Sequence, residues 1–257
     1  MILATLLLAA TISSQQTPAA LQKVGIDQHL GQTVPMDLVF RDEAGKPVKL
    51  GDVVGGKPTV FAMVYYDCPM LCTLVLEGMV RSLRALTFEP GKEYNVICVS
   101  FDPHETSALA AAKKKNILAE FRRPGDWHFL TGEESSIRPL ADAVGFRYSY
   151  DPQTKQYAHA AGIMVLTPAG KLSQYFYGIE YSARDMRLAL VEASAGKIGS
   201  VVDEILLFCY HYDPATGKYG LLVTRLVRVG GVLTVLVMAG SIVWMLRREK
   251  QTVTVHS

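Results

Sequence analysis

The sequence predicts an α/β domain of three layers, a sheet with helices on both faces, and three observations carry that prediction. Short apolar, β-branched runs recur along the 257 residues and read as buried strands. Stretches with helical spacing of apolar residues lie between them. The order of elements alternates strand and helix, then closes on a hairpin and a last helix, which is the pattern of a mixed sheet covered by helices.

Taken in order, Leu38 to Leu50 alternates around a turn and predicts an N-terminal β-hairpin. Pro58 to Tyr65 is the first buried strand, and apolar residues from Met70 to Leu86 then continue at helical spacing. Tyr94 to Phe101 is a second buried strand ended by Asp102-Pro103, followed by an Ala- and Lys-rich helix over Glu105 to Phe121. Trp127 to Leu130 reads as a short strand and Glu133 to Val144 as a helix. Gly162 to Thr167 and Leu172 to Tyr177 flank the turn Pro168 to Lys171 as a second hairpin. Ser182 is placed to cap a helix running to Ala193.

The stretch from Tyr65 to Glu77 organises the chain, because Cys68 and Cys72 follow the first buried strand directly. Pro69 suits the first turn of a helix, where its missing N–H costs nothing. On that reading the two cysteines share one face at a helix N-terminus, about one turn of ~5.4 Å apart. Unpaired N–H groups and the positive end of the helix dipole lower thiol pKa values there. Two such thiolates can bind a soft metal or close a disulfide, whereas two small core residues would do neither. A redox pair at the first strand–helix junction points to the thioredoxin-like version of the fold. Ligand chemistry then belongs at the C-terminal ends of the strands, where Cys68, Asp102 and the His159 region all fall.

Composition excludes other classes. A net charge of +2, with no Lys/Arg run interleaved with aromatics, argues against nucleic acid. Four cysteines are too few for a disulfide scaffold. The mean hydropathy of +0.19 is raised by the two ends of the chain. Residues 1–14 read as a secretory signal segment, although no Lys or Arg precedes the apolar run. Val229 to Leu246 is uncharged, long enough for one membrane span, and stopped by Arg247-Arg248-Glu249-Lys250. The expected organisation is a domain over residues 24–196, a connector over 197–228, a C-terminal transmembrane helix over 229–246 and a cytoplasmic tail over 247–257. The domain itself is expected in the periplasm.

Cys68-Pro69-Met70-Leu71-Cys72, Val99-Ser100-Phe101-Asp102-Pro103, and His159 ahead of Ile163-Met164-Val165-Leu166-Thr167-Pro168-Ala169-Gly170 together resemble the Sco/SenC family. These are thioredoxin-like proteins that assist copper-centre assembly in cytochrome c oxidase, and the likeness spans roughly Leu30 to Ala193. It implies copper ligation by Cys68, Cys72 and His159. The implied partners are the oxidase's copper-bearing subunit and other copper carriers or thiol reductants. Thr73 stands where many members carry a second proline, and His104-Glu105-Thr106 where Arg-Asp-Thr is commoner. Many members are anchored at the N-terminus rather than the C-terminus. Two thiolates and an imidazole form a soft set that favours Cu(I) and would colour Cu(II), whereas structural zinc would want a fourth ligand.

Other residues have competing readings. Cys98 lies inside a buried strand as a small core residue, and His128 is a strand-end histidine. Asp102 either caps the turn before the next helix or supports the cysteines as an outer contact. His104 is an exchangeable-ligand candidate, and Met70 a thioether that packs or lends its sulfur. Cys209 and His211 lie in an aromatic segment suited to a membrane interface, or to a transient copper contact. The alternative function on the same residues is a thiol–disulfide oxidoreductase, with Cys68 attacking and Cys72 resolving. A peroxidase of related fold is disfavoured by the close dithiol.

Overall fold

In the computed structural model, residues 24–198, 212–213, 218–219, 231 and 233–241 are described. Two units divide the chain, residues 1–198 and 199–257. The first unit begins with Gly25–Ile26 (β1) and then the expected hairpin, Val39–Arg41 (β2) against Pro47–Lys49 (β3). Asp42 fixes its turn by accepting hydrogen bonds from the N–H groups of Ala44 and Lys46 at 3.0 and 2.8 Å. A short helix, Leu50–Val54 (α1), follows and buries Leu50 and Val54.

Thr59–Val64 (β4) is buried at every position, as a strand covered on both faces must be. Helix α2 spans Leu71–Arg84 and buries Cys72, Val75, Leu76, Met79, Val80 and Leu83, a stripe at helical spacing. Burying each of the larger side chains contributes about 1.5–3 kcal/mol. Gly78 lies on that face because a Cβ there would come within 2.0 Å of the Ile179 carbonyl oxygen. Asn95–Ser100 (β5) is again buried throughout and is followed by Ser107–Phe121 (α3). Trp127–Leu130 (β6) and Glu134–Ala143 (α4) come next.

A pair the sequence reading did not anticipate then appears: Phe146–Asp151 (β7) against Gln156–His159 (β8), with β1 joined to the free side of β7. Gly162–Leu166 (β9), Leu172–Tyr177 (β10) and Ala183–Ser194 (α5) complete the unit. Ser182 caps α5 by accepting the Asp185 N–H.

The main sheet runs β10-β9-β4-β5-β6, with β4, β5 and β6 parallel and the β9–β10 hairpin antiparallel to them. Helix α2 packs against α3 and α5, and α3 packs on β6. Helix α1 packs on β3 and β5, and α4 on β7. The architecture is a mixed α/β fold with a central sheet and packed helices, of the thioredoxin-like kind. Two features set the chemistry. Val64 pairs with Ser100, so β4 and β5 end side by side. Phe61 pairs with Met164 and Thr59 with Leu166, so β9 starts at the C-terminal end of β4 and His159 arrives there three residues earlier.

In the second unit Tyr212–Asp213 pairs with Lys218–Tyr219, and residues 231 and 233–241 are helical. Among the described residues no helix is long and apolar enough to cross a membrane. Most flanks of the expected span at 229–246, the signal-like segment at 1–14, Cys209 and His211 lie outside the described residues.

Candidate metal centre

Cys68, Cys72 and His159 meet where β4 and β8 end. Their ligand atoms all lie within 4.8 Å of one another. The sulfurs are free thiols, Cys72 fully buried and Cys68 8% exposed. The helix entrance differs from the sequence expectation. Helix α2 begins at Leu71, so Pro69 precedes it, and only Cys72 is helical. The physical reason is a cap: Met70, at the N-cap, has no capping side chain, and the Cys68 sulfur accepts the Cys72 N–H at 3.3 Å instead. The sulfurs are thus neighbours across a helix cap rather than on successive helical turns.

Each ligand has a fixed orientation. The Cys72 sulfur accepts the Tyr65 N–H at 3.3 Å and stands 3.3 Å from His159 Nε2. His159 Nδ1 is 2.9 Å from the Ala160 carbonyl oxygen, which can only accept, so Nδ1 carries the proton and Nε2 turns its lone pair to the sulfurs. Rings of Tyr65, Phe101 and Phe146 surround the imidazole, with centroids at 5.8, 5.3 and 6.2 Å.

The thiols are unequal. The Cys68 thiol is held well below its ordinary pKa, chiefly by a hydrogen bond with Cys72; burial opposes this, while His159 and the N–H groups of Cys72 and Met70 assist. Burial, then the hydrogen bond with Cys68, pushes the Cys72 thiol strongly up. The pair therefore divides into an outer thiolate and an inner thiol, suited to soft-metal binding or to exchange with a disulfide.

Asp102 sits at the end of β5, but its carboxylate bonds elsewhere. Oδ1 accepts the N–H and Nδ1–H of His104, both at 2.9 Å, and the Tyr157 hydroxyl at 3.4 Å. Turn capping is the direct contact; Asp102 reaches the cysteine side indirectly, through Tyr157, whose ring stands edge-on to Tyr65 at 5.6 Å, and through its backbone N–H, which donates to the Ser100 hydroxyl at 3.1 Å. His104 is largely exposed, and Met70 is 66% exposed beside the pair. Cys98 is a fully buried core residue, and His128 lies half-buried in β6 with Asp126 3.9 Å away.

Glu105 is the residue that sequence reasoning passed over. Its Oε2 accepts the Tyr66 N–H at 2.8 Å and its Oε1 the Asp67 N–H at 2.7 Å, while the Ser100 hydroxyl also donates to Oε2. Burial raises its pKa against those three hydrogen bonds. The sequence reading marked this position only as one where an aspartate is commoner in the resembling family, and gave its carboxylate no task.

A second concavity of about 550 Å³ is lined by Asp42, Glu43, Lys57, Lys114, Asp126 and His128 among others. Three of its charges pair with one another: Lys114 Nζ lies 3.0 Å from Glu43 and 3.2 Å from Asp126. Burial lowers the Lys114 pKa, but those two carboxylates outweigh it and leave the value raised.

A thioredoxin-like α/β domain with a Cys–Cys–His cluster at the strand ends is the class that fold and site define. The family model for SCO1/SenC matches residues 27–193, more than half of the chain, and the chain belongs to that family. Among solved structures, a putative electron transfer protein from Aquifex aeolicus VF5 is similar at 26% identity and TM-score 0.57, covering 65% of this chain and 95% of that one. A SCO1/SenC family lipoprotein from Bacillus anthracis is similar at 17% identity and TM-score 0.51, covering 65% and 98%, and supports the fold. Copper-bound ScoI from Bradyrhizobium japonicum matches at 23% identity and TM-score 0.48, covering 63% and 98%. No curated protein matches the chain.

Proposed function

We propose that this chain is a membrane-anchored copper-binding assembly factor that carries copper to the copper-bearing subunit of cytochrome c oxidase. The observation that carries the reading is the donor set: two sulfurs and an imidazole Nε2 within 4.8 Å of one another, the nitrogen already in the tautomer a metal requires. Two sulfurs and one nitrogen suit Cu(I), and they suit a coloured Cu(II)–thiolate form. Copper is the cargo, held by Cys68, Cys72 and His159 and passed on. The organisation proposed with this role is a domain over 24–196, a connector over 197–228, a span over 229–246 and a tail over 247–257. An exported signal-like segment at 1–14 would place the domain in the periplasm, and an anchor would confine the carrier to the plane of its client.

The test is metal content with visible absorption of the reduced protein after copper loading. About one copper per chain is expected, falling to near zero in Cys68→Ala. Stoichiometric copper kept by that variant would sink the reading.

One observation favours a second activity, the inequality of the thiols. The Cys68 thiolate would attack a client disulfide, forming a mixed disulfide and expelling one client thiolate. Cys72 would then lose its proton and attack the Cys68 sulfur, releasing the second client thiol. The client gains two electrons and this pair ends as a disulfide. His159 separates the roles, because exchange does not need an imidazole.

A further inference from the structure

We propose that Glu105 is a positioning residue of the metal centre: its carboxylate clamps the backbone at Tyr66 and Asp67 and thereby fixes where Cys68 carries its sulfur. The inference rests on the copper reading and extends it to a residue that holds no metal.

The loop ahead of α2 is thinly tied. Asp67, Pro69 and Met70 are exposed, yet Cys68 between them is turned inward and buried. Pro69 has no N–H to offer, and the Cys68 N–H reaches the Tyr65 carbonyl only at 3.4 Å. On the upstream side Tyr66 is anchored by its hydroxyl, which donates to the carbonyls of Cys98 and Leu130 at 3.0 and 2.7 Å. From there to the helix, the short bonds are those to Glu105.

Both carboxylate oxygens are engaged, one on each of two successive N–H groups, and Ser100 at the end of β5 steadies the same carboxylate from the sheet side. Glu105 therefore joins the loop to the rigid end of the sheet. A charged acceptor makes these the stronger class of hydrogen bond. A neutral amide of the same shape would turn one of its two acceptors into a donor facing an N–H, so Gln cannot reproduce the clamp. Groups that hold a metal ligand from behind affect affinity by about 10–100-fold when altered.

The full-length protein provides the test, with Glu105→Gln and Glu105→Asp beside wild type. Three readouts are taken: Cu(I) affinity by competition with a chromogenic chelator, the thiolate–Cu(II) absorption band, and amide hydrogen exchange at Asp67. Expected for Glu105→Gln are a 10–100-fold weaker Cu(I) affinity, a shifted band, and Asp67 exchange at least tenfold faster. Glu105→Asp keeps the charge with a shorter reach, and its affinity should fall between wild type and Gln. A residue that merely supports the fold would lower the melting temperature while leaving the band of the loaded, folded protein in place. A folded Glu105→Gln with wild-type affinity, band and exchange overturns the proposal. Should Gln not fold, wild-type affinity and exchange in Glu105→Asp overturns it equally. If wild type itself takes up no copper, the copper reading fails, and the Asp67 exchange rate alone decides the clamp.

Discussion

The two ends of the sheet hold comparable numbers of reactive side chains and use them in opposite ways. Toward the starts of β5 and β6, Lys114, Glu43 and Asp126 neutralise one another across the cavity, and Glu43 Oε1 also accepts the Phe129 N–H. Their capacity is spent within the protein. At the other end the strongest donors to a soft ion, two sulfurs and one Nε2, point at one another. Backbone groups fix their directions without exhausting them. The difference teaches that unspent coordinating capacity, rather than a density of charged residues, marks the working end.

The widest separation of the two ends should come from Cys72→Ala against Lys114→Met. The first should remove copper binding altogether, measured as metal per chain. The second should leave copper stoichiometry untouched. His159→Ala comes next: with two thiolates alone, Cu(I) should still bind, but Cu(II) affinity should drop about a hundredfold or more, near 2.7 kcal/mol. Loss of the coloured form in a titration checks this, and exchange with a test disulfide should stay within roughly tenfold of wild type.

Proton linkage gives the third expectation. The thiolate is the reacting form, so a pKa shifted down keeps Cys68 reactive in acid. Between pH 8 and 6 its alkylation rate in the metal-free protein should fall less than about threefold, where an ordinary thiol of pKa ~8.5 loses roughly two orders of magnitude. Cys98, whose buried thiol is pushed up, should not react in the folded state. A Cys68 profile parallel to that of a free thiol would contradict the assigned hydrogen bonds. The smallest effect belongs to Lys114→Met, about 1–2 kcal/mol of stability by denaturant unfolding, because Glu43 loses its main partner while staying largely buried. A change in the copper absorption band there would break the comparison.

Most of the main sheet was legible in the sequence because β4, β5 and β9 each carry an apolar stretch of four or more residues, and a strand buried on both faces leaves that mark. The β7–β8 pair was harder. Phe146, Tyr148, Tyr150, Tyr157 and His159 do alternate, and Tyr148 faces His159 across the ladder, but polar residues at Arg147, Ser149 and Asp151 leave no apolar run to mark a strand. The cysteine pair was plain from spacing, whereas its cap geometry was not. Sulfur is not among the usual capping groups, so the sequence favoured proline inside the helix over Cys68 outside it. Glu105 was seen only as a departure from Arg-Asp-Thr, and its role was hidden for a different reason. Its partners are backbone N–H groups, which every residue has, so residue identities do not show the contact.

Cys68 and Cys72 are neighbours in sequence, but Cys72 and His159 are 87 positions apart and meet only because β9 runs back along β4. Before that pairing forms, a newly made chain has a dithiol and no imidazole beside it. A metal that grips both sides then closes a long loop, and the unfolded ensemble must give up that closure or the metal. Any ligand bound only by the native form adds stability as its concentration exceeds its dissociation constant, about 4 kcal/mol at a thousandfold excess. Loading would thus act as a latch on the finished fold, and cargo release would loosen the same strand pairing that assembled the site.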